Sequence, residues 1–282
     1  MSAALDPRIH AYRPDLAAAT LKGQVEAERF VDGIPCQVRA GFVTLAERPA
    51  PDSRQSSQLL FGEVFTALEE KDGWVWGQNA TDGYVGYLRI EALDMEVQEP
   101  THRVTALRGY LFPEPDLKSP FLDVLSLASP VTVVGERDGY AELAGGGWLY
   151  AKQLEPLDAA KAHDPVETAL RFLGTPYLWG GRTSLGLDCS ALVQLSLSMA
   201  GVACPRDSDQ QRESVGTKIS DDGRDVAYQR GDIVFFPGHV GIMADATDLV
   251  HANAFHMCVT REPLTDVVAR AGAKGINGVR RL

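Results

Sequence analysis

The sequence has no Cys-x-x-Cys pair, and its four cysteines, Cys36, Cys189, Cys204 and Cys258, lie far apart. That spacing argues against a zinc ribbon or a dithiol redox centre, and a disulfide framework is not expected. No stretch approaches the roughly 18 consecutive apolar residues of a membrane span. The amino end lacks a basic region followed by a long apolar run, because Asp6, Arg8, His10, Arg13 and Asp15 break up every such run. A chain without these signals is expected to be cytoplasmic. Basic charge is also scarce: 27 Lys and Arg stand against 38 Asp and Glu, a formal net charge of −11. Such a surface repels phosphate backbones, so no nucleic-acid partner and no membrane partner is expected.

Turn-formers, by contrast, are plentiful, with 27 Gly and 16 Pro among 282 residues. The length suggests about two domains, and the texture of the chain changes near residue 160. Before that point short alternating runs are broken by Asp72-Gly73, Asp82-Gly83 and Asp138-Gly139, pairs that mark tight hairpins. The segments "GEVFTALEEKDGWVWG" and "ASPVTVVGERDGYAEL" follow one plan: turn, apolar run, acidic patch, Asp-Gly, aromatic residue. This reads as an internal duplication of a unit of about 60 residues, the size of a small barrel. The stretches "DGW…DGYVGY" and "ERDGYAEL…GGWL" resemble bacterial SH3-like (SH3b) modules. The expected organisation is an arm over 1–35, a first barrel over 36–98, a second over 99–160 and a further domain over 161–282. Within the arm, "PDLAAATLKGQVEAERF" suggests a helix capped by Asp15 and interrupted at Gly23.

The last domain mixes helical and strand patterns. Asp164 followed by Pro165 opens a helix whose apolar stripe is Val166, Ala169, Leu170 and Leu173, with Gly174 and Pro176 beyond it. A glycine-rich loop, "YLWGGRTSLGLD", leads into "CSALVQLSLSMAG", a helix so apolar that it must be buried. Asp188 caps this helix and Cys189 sits in its first turn, where free N–H groups and the helix dipole favour a thiolate. Gly201 ends it. Further on, "GDIVFF", "HVGIMA" and "DLVHANA" read as three antiparallel strands, joined at Pro237-Gly238 and Asp245-Ala246. If the second hairpin is centred on Asp245, His239 and His251 stand directly opposite each other, close enough for one ring to orient the other. A thiol, a base and an orienting group form the working set of covalent acyl chemistry.

In order, spacing and flanks, "TPYLWGG", "GLDCSALVQ", "GDIVFFPGHVGI" and "LVHANA" resemble the NlpC/P60 family of papain-like cysteine peptidases. The position after Cys189-Ser190 is often glycine in that family and here is Ala191. The resemblance implies an α+β chain: a papain-like catalytic domain preceded by two small SH3-like barrels. It implies Cys189 as nucleophile, His239 as general base and later acid, and His251 as the third polar residue. Tyr177 is implied beside the nucleophile, where its hydroxyl helps the Cys189 N–H hold an oxyanion.

The pairing with SH3b modules resembles the γ-D-glutamyl-L-diamino acid endopeptidases, which release L-Ala-γ-D-Glu from cell-wall peptides. That likeness implies a pocket for the free amino group of L-Ala. Asp207, Ser208 and Ser190 are its matches in the last domain, with Glu63 and Tyr84 in the first barrel. Carboxylates suit an ammonium taken out of water, which needs opposite charge and acceptors. The expected partner is a cell-wall peptide with a free amino-terminal L-Ala, and neither metal nor organic cofactor is implied. Two other classes fit the same motifs: a wall-peptide-binding protein without catalysis, and a thiol acyltransferase.

Overall fold

A computed structural model of the chain describes residues 5–158 and 163–282, with the side chain at position 274 left aside. It divides into two compact units, Met1–Ala160 and Lys161–Leu282.

In the first unit a seven-stranded antiparallel sheet runs, in spatial order, through Gln55–Leu60, Phe42–Ala46, Val85–Arg89, Trp74–Asn79, Val64–Lys71, Ile34–Val38 and Leu93–Asp94. Its curl encloses Val38, Leu45, Leu59, Phe65, Val75, Tyr84 and Leu88. Asp72 and Gly73, at φ 53° and 77°, close the hairpin between two of these strands. Left-handed backbone at both central positions matches the strand twist, which is why Asp-Gly recurs there. Asp138 and Gly139 repeat the geometry at φ 54° and 79°, between Val133–Arg137 and Tyr140–Leu143. Residues 102–156 form three small sheets around a separate core of Val104, Leu111, Leu125, Val131, Leu143 and Leu149.

The segment ahead of the first sheet is not the helix its alanines suggest. Leu16–Ala18 is a strand paired in parallel with Arg29–Val31, and only Ala19–Leu21 makes a single 3-10 turn. Tertiary packing overrides helix propensity here. Ala11 and Leu16 are buried against Trp76, and the Arg13 guanidinium lies 4.3 Å over the Trp76 ring.

The second unit is a six-stranded sheet in the order Thr217–Ser220, Gly278–Arg281, Ile233–Phe236, His239–Met243, Asp248–Asn253 and Cys258–Pro263. Helix α1 spans Pro165–Arg171, α2 Cys189–Met199, α3 Ser208–Ser214 and α4 Leu264–Ala271. Asp164 caps α1 through the N–H groups of Val166 and Glu167, at 2.7 and 3.2 Å. Its far end differs from the sequence stripe: Phe172 is fully buried and Leu173 is 47% exposed. The helix stops at Arg171, and the next residues leave the helical face. On one side of the sheet Ile233, Phe235 and Val240 pack with Val193 and Leu197 of α2. On the other, Val234, Phe236, Met243 and Leu249 meet Leu264 and Val267 of α4. A strand covered on both faces loses the polar alternation, which explains why all four residues of "IVFF" are buried. Each such side chain contributes about 1.5–3 kcal/mol on burial.

Candidate active site

Helix α2 is apolar on nearly every side and wholly buried except at Ser198, so its first turn is held rigidly. Asp188 caps it, accepting from the Ala191 N–H at 2.9 Å. The same carboxylate accepts from the Gly180 N–H at 2.9 Å and from both terminal nitrogens of Arg206, at 3.0 and 2.7 Å. Arg206, 1% exposed, is the largest fully buried side chain among the described residues. It fixes the residue immediately before Cys189, and its Nη1 also reaches the Ser190 hydroxyl at 2.9 Å.

Cys189 is 7% exposed and packs in one cluster with Val240, whose backbone N–H acts on the sulfur to favour its anion. Val240 directly follows His239 at the start of its strand. Burial, with the Asp188 carboxylate second, pushes the Cys189 thiol up to about 12, against the Val240 N–H, Arg206 and the Ser190 N–H. The helix start alone suggests a thiolate; the fold also buries the sulfur beside a carboxylate, and both push the thiol the other way. Tyr177 stands close enough for the charges of Cys189 and Asp188 to add to burial in raising its hydroxyl. Its N–H is tied to the Met257 carbonyl at 2.9 Å.

His239 Nε2 is 2.7 Å from His251 Nδ1, and the ring centroids are 5.0 Å apart. The register differs from a hairpin centred on Asp245. Ile242 pairs with Val250 and Met243 with Leu249, which carries Gly241 opposite His251 and makes His239 its diagonal neighbour. Diagonal positions are about 7–8 Å apart at the backbone, a gap that ring-sized side chains bridge. Gly241, between them, has no side chain to obstruct the rings, and a Cβ there would lie 2.8 Å from Leu249 Cδ2.

The imidazole pair continues into groups that the sequence reading missed. His251 Nε2 is 2.7 Å from Glu262 Oε1, and Glu262 Oε2 is 2.7 Å from Arg270 Nη1 of α4. Glu262 could have been found by extending the strand pairing, because His251 pairs with Thr260 and residue 262 lies on the same face. Burial lowers His239 to about 3, aided by the neighbouring His251 and Arg270 against the pull of Glu262. Burial lowers His251 also, against Glu262. Burial would raise Glu262, but Arg270 and His251 together hold it at about 2.

The remaining candidates fall in different surroundings. Ser190 is 6% exposed; its hydroxyl donates to Asp188 Oδ1 at 3.2 Å and accepts from Arg206. Asp207 is the N-cap position of α3 without a side-chain cap bond, and Ser208 begins that helix. Glu63 is 4% exposed and accepts from the Leu60 N–H at 2.9 Å. Tyr84 is 7% exposed and belongs to the core of its sheet. Cys189, His239, His251 and Tyr177 are thus gathered in the second unit, while Glu63 and Tyr84 are buried within the first. Among the described residues no three or more His, Cys, Asp or Glu side chains are grouped to hold a metal ion.

A sulfur at a buried helix start, packed on a sheet that carries an imidazole tied to a second one, fits the cysteine peptidase class. The comparisons with known proteins place the chain within it. Residues 174–271 match the NlpC/P60 family, and residues 45–93 match the bacterial dipeptidyl-peptidase Sh3 domain. The chain is a cysteine peptidase that carries an NlpC/P60 domain together with a bacterial SH3 domain. It is 28% identical to dipeptidyl-peptidase 6 of Lysinibacillus sphaericus, over 77% of this chain and 86% of that one. It is 26% identical to the γ-D-glutamyl-L-lysine dipeptidyl-peptidase of Bacillus subtilis, over 77% and 78% respectively. Its fold is that of an NlpC/P60 family protein from Bacillus cereus, with a TM-score of 0.73 at 21% identity over 88% of this chain and 99% of that one.

Proposed function

We propose that this peptidase hydrolyses the γ-D-glutamyl–diamino acid bond of free cell-wall peptides and releases L-Ala-γ-D-Glu. The Cys189 sulfur attacks the γ-carbonyl carbon while its proton passes to His239 Nδ1, the ring nitrogen not engaged by His251. The oxyanion is met by the Cys189 N–H and the Tyr177 hydroxyl. His239 then protonates the departing amine, leaving a thioester. Water adds to that thioester, its proton going to His239, and the sulfur leaves as a thiol once the proton returns. Since burial holds the thiol high and His239 low, the resting pair is thiol and neutral imidazole. Proton transfer therefore accompanies attack.

The observation that carries this reading is Cys189 at a buried helix start packed with Val240, the residue after His239, whose Nε2 is 2.7 Å from His251 Nδ1. The bond cleaved is suggested by the activity named for the similar Bacillus subtilis protein. Asp207 and Ser208, at the start of α3, are proposed to meet the free amino group. Ser190, engaged by Arg206 and Asp188, would shape that region through them. Glu63 and Tyr84 enter the proposal on the resemblance alone. Peptides still joined to muramic acid lack the free amine, so released fragments in the cytoplasm fit and intact wall does not. The domain limits proposed with it are 1–35, 36–98, 99–160 and 161–282.

The test is digestion of L-Ala-γ-D-Glu carrying diaminopimelate or lysine, beside the same peptides acetylated at the amino end. Dipeptide release from the free peptide, its loss in Cys189→Ala and failure of the acetylated peptide are expected. Equal rates on free and acetylated peptides would remove the roles given to Asp207, Ser208, Glu63 and Tyr84. Binding without cleavage would remove the reaction itself.

A further inference from the structure

The proposed reaction asks His239 Nδ1 to take a proton, yet a neutral imidazole carries its one proton on either nitrogen. We propose that Glu262 is a positioning residue that sets the tautomers of His251 and His239 in series and thereby leaves Nδ1 of His239 bare. The inference rests on the function proposed above and deepens it.

An ionised carboxylate can only accept, so with Oε1 at 2.7 Å the proton of His251 must lie on Nε2. In the neutral ring this makes His251 Nδ1 an acceptor. That atom is 2.7 Å from His239 Nε2, and two bare nitrogens cannot share a hydrogen bond. His239 must therefore carry its proton on Nε2, and Nδ1 becomes the base. This series of tautomers exists when both rings are neutral and Glu262 is ionised. The charged and titratable groups that act on His239 are His251, Arg270 and Glu262, with the Cys189 thiol proposed at its Nδ1, and those that act on His251 beyond its partner are Glu262, Arg270 and His256. The rings are lowered and Glu262 is held near 2, so those states hold at neutral pH.

Arg270 makes the device directional. Its Nη1 is 2.7 Å from Glu262 Oε2, and a guanidinium can only donate. In Glu262→Gln, an amide of almost the same shape, the oxygen is drawn to Arg270 and the NH2 is turned toward His251 Nε2. Thr260 Oγ1, 3.3 Å from Oε1, adapts by rotating its hydrogen. His251 must then accept at Nε2 and donate from Nδ1. His239 must accept at Nε2 and carry its proton on Nδ1, facing the thiol with an N–H. One isosteric change far from the sulfur thus converts the base into a donor, as wrong-tautomer variants of other triads do.

Nitrogen-15 NMR of the histidine rings in the wild-type protein tests this without any variant. Both His239 and His251 are expected as Nε2–H tautomers, and an Nδ1–H on either overturns the proposal. In Glu262→Gln both rings are expected to switch, with kcat on the γ-glutamyl tripeptide falling on the order of 10³-fold and KM little changed. Adding Arg270→Leu frees the amide to turn back and is expected to recover part of the lost kcat. A merely structural Glu262 predicts the opposite, further loss in the double variant. A Glu262→Gln enzyme with wild-type kcat would refute the relay. If the wild-type protein cleaves no such peptide, the proposed function fails instead, and the ring spectra still decide the tautomers.

Discussion

Arg206→Met removes the guanidinium that neutralises Asp188 and leaves a carboxylate buried beside the sulfur. The wild-type pair is bidentate, at 3.0 and 2.7 Å, with side chains 1% and 10% exposed, and the Ser190 hydroxyl loses its donor at 2.9 Å. Breaking one partner of a buried pair costs about 3–5 kcal/mol, because the remaining charge keeps its desolvation penalty. Asp188 retains its bonds from the Gly180 and Ala191 N–H groups, which moderates the loss toward the lower end of that range. Arg206 also helps lower the Cys189 thiol, so its removal raises the thiol further and slows attack. Urea unfolding by far-UV circular dichroism, with hydrogen exchange of the α2 amides, reports the stability of this unit; peptide cleavage reports the rate. The double variant Asp188→Asn, Arg206→Met is expected to recover much of the stability, because no unpaired charge remains. A single variant destabilised by less than about 1 kcal/mol, the ordinary surface value, would refute the claim that this pair holds the helix start.

Stability of the second unit should fall between pH 7 and pH 5. His239 and His251 are lowered in the fold, so the unfolded chain binds protons first. Their stabilisation is complete above the ordinary histidine value and drains as pH falls through it toward the folded values. The limiting slope is about 1.4 kcal/mol per pH unit for each such group, and Glu262, held at about 2 in the fold, adds only a small slope of the same sign near pH 5, where the unfolded carboxyl begins to protonate. Urea midpoints that stay flat from pH 7 to pH 5, with no change in His239→Asn, would show the rings are not buried neutral. Asp164→Ala should cost about 1 kcal/mol by removing the cap of α1. The exposed Arg230 partner at 3.0 Å adds little, so Arg230→Ala should leave the urea midpoint nearly unchanged.

Much of the site was legible because it rests on local rules. Asp-Gly closes hairpins wherever strand twist demands a left-handed pair, and Asp72-Gly73 and Asp138-Gly139 do so. Asp164 before Pro165 and Asp188 before Cys189 cap helices whatever surrounds them. The alanine-rich segment after Asp15 misled because a few residues of propensity are worth less than burying Leu16 on Trp76.

The sequence by itself determined the parts: a thiol at a helix start, two histidines on neighbouring strands, and hairpin-rich modules ahead of them. Those follow from nearest neighbours along the chain, where capping, turn chemistry and periodicity operate. Only the tertiary structure decided that the rings meet diagonally over Gly241, that Arg206 is buried against Asp188 and that Glu262 and Arg270 extend the imidazole pair. Such contacts join residues far apart in sequence, and their energies depend on desolvation, which no local pattern records. The same burial acts on the sulfur: a helix start favours the anion, while excluding water beside a carboxylate pushes the thiol up.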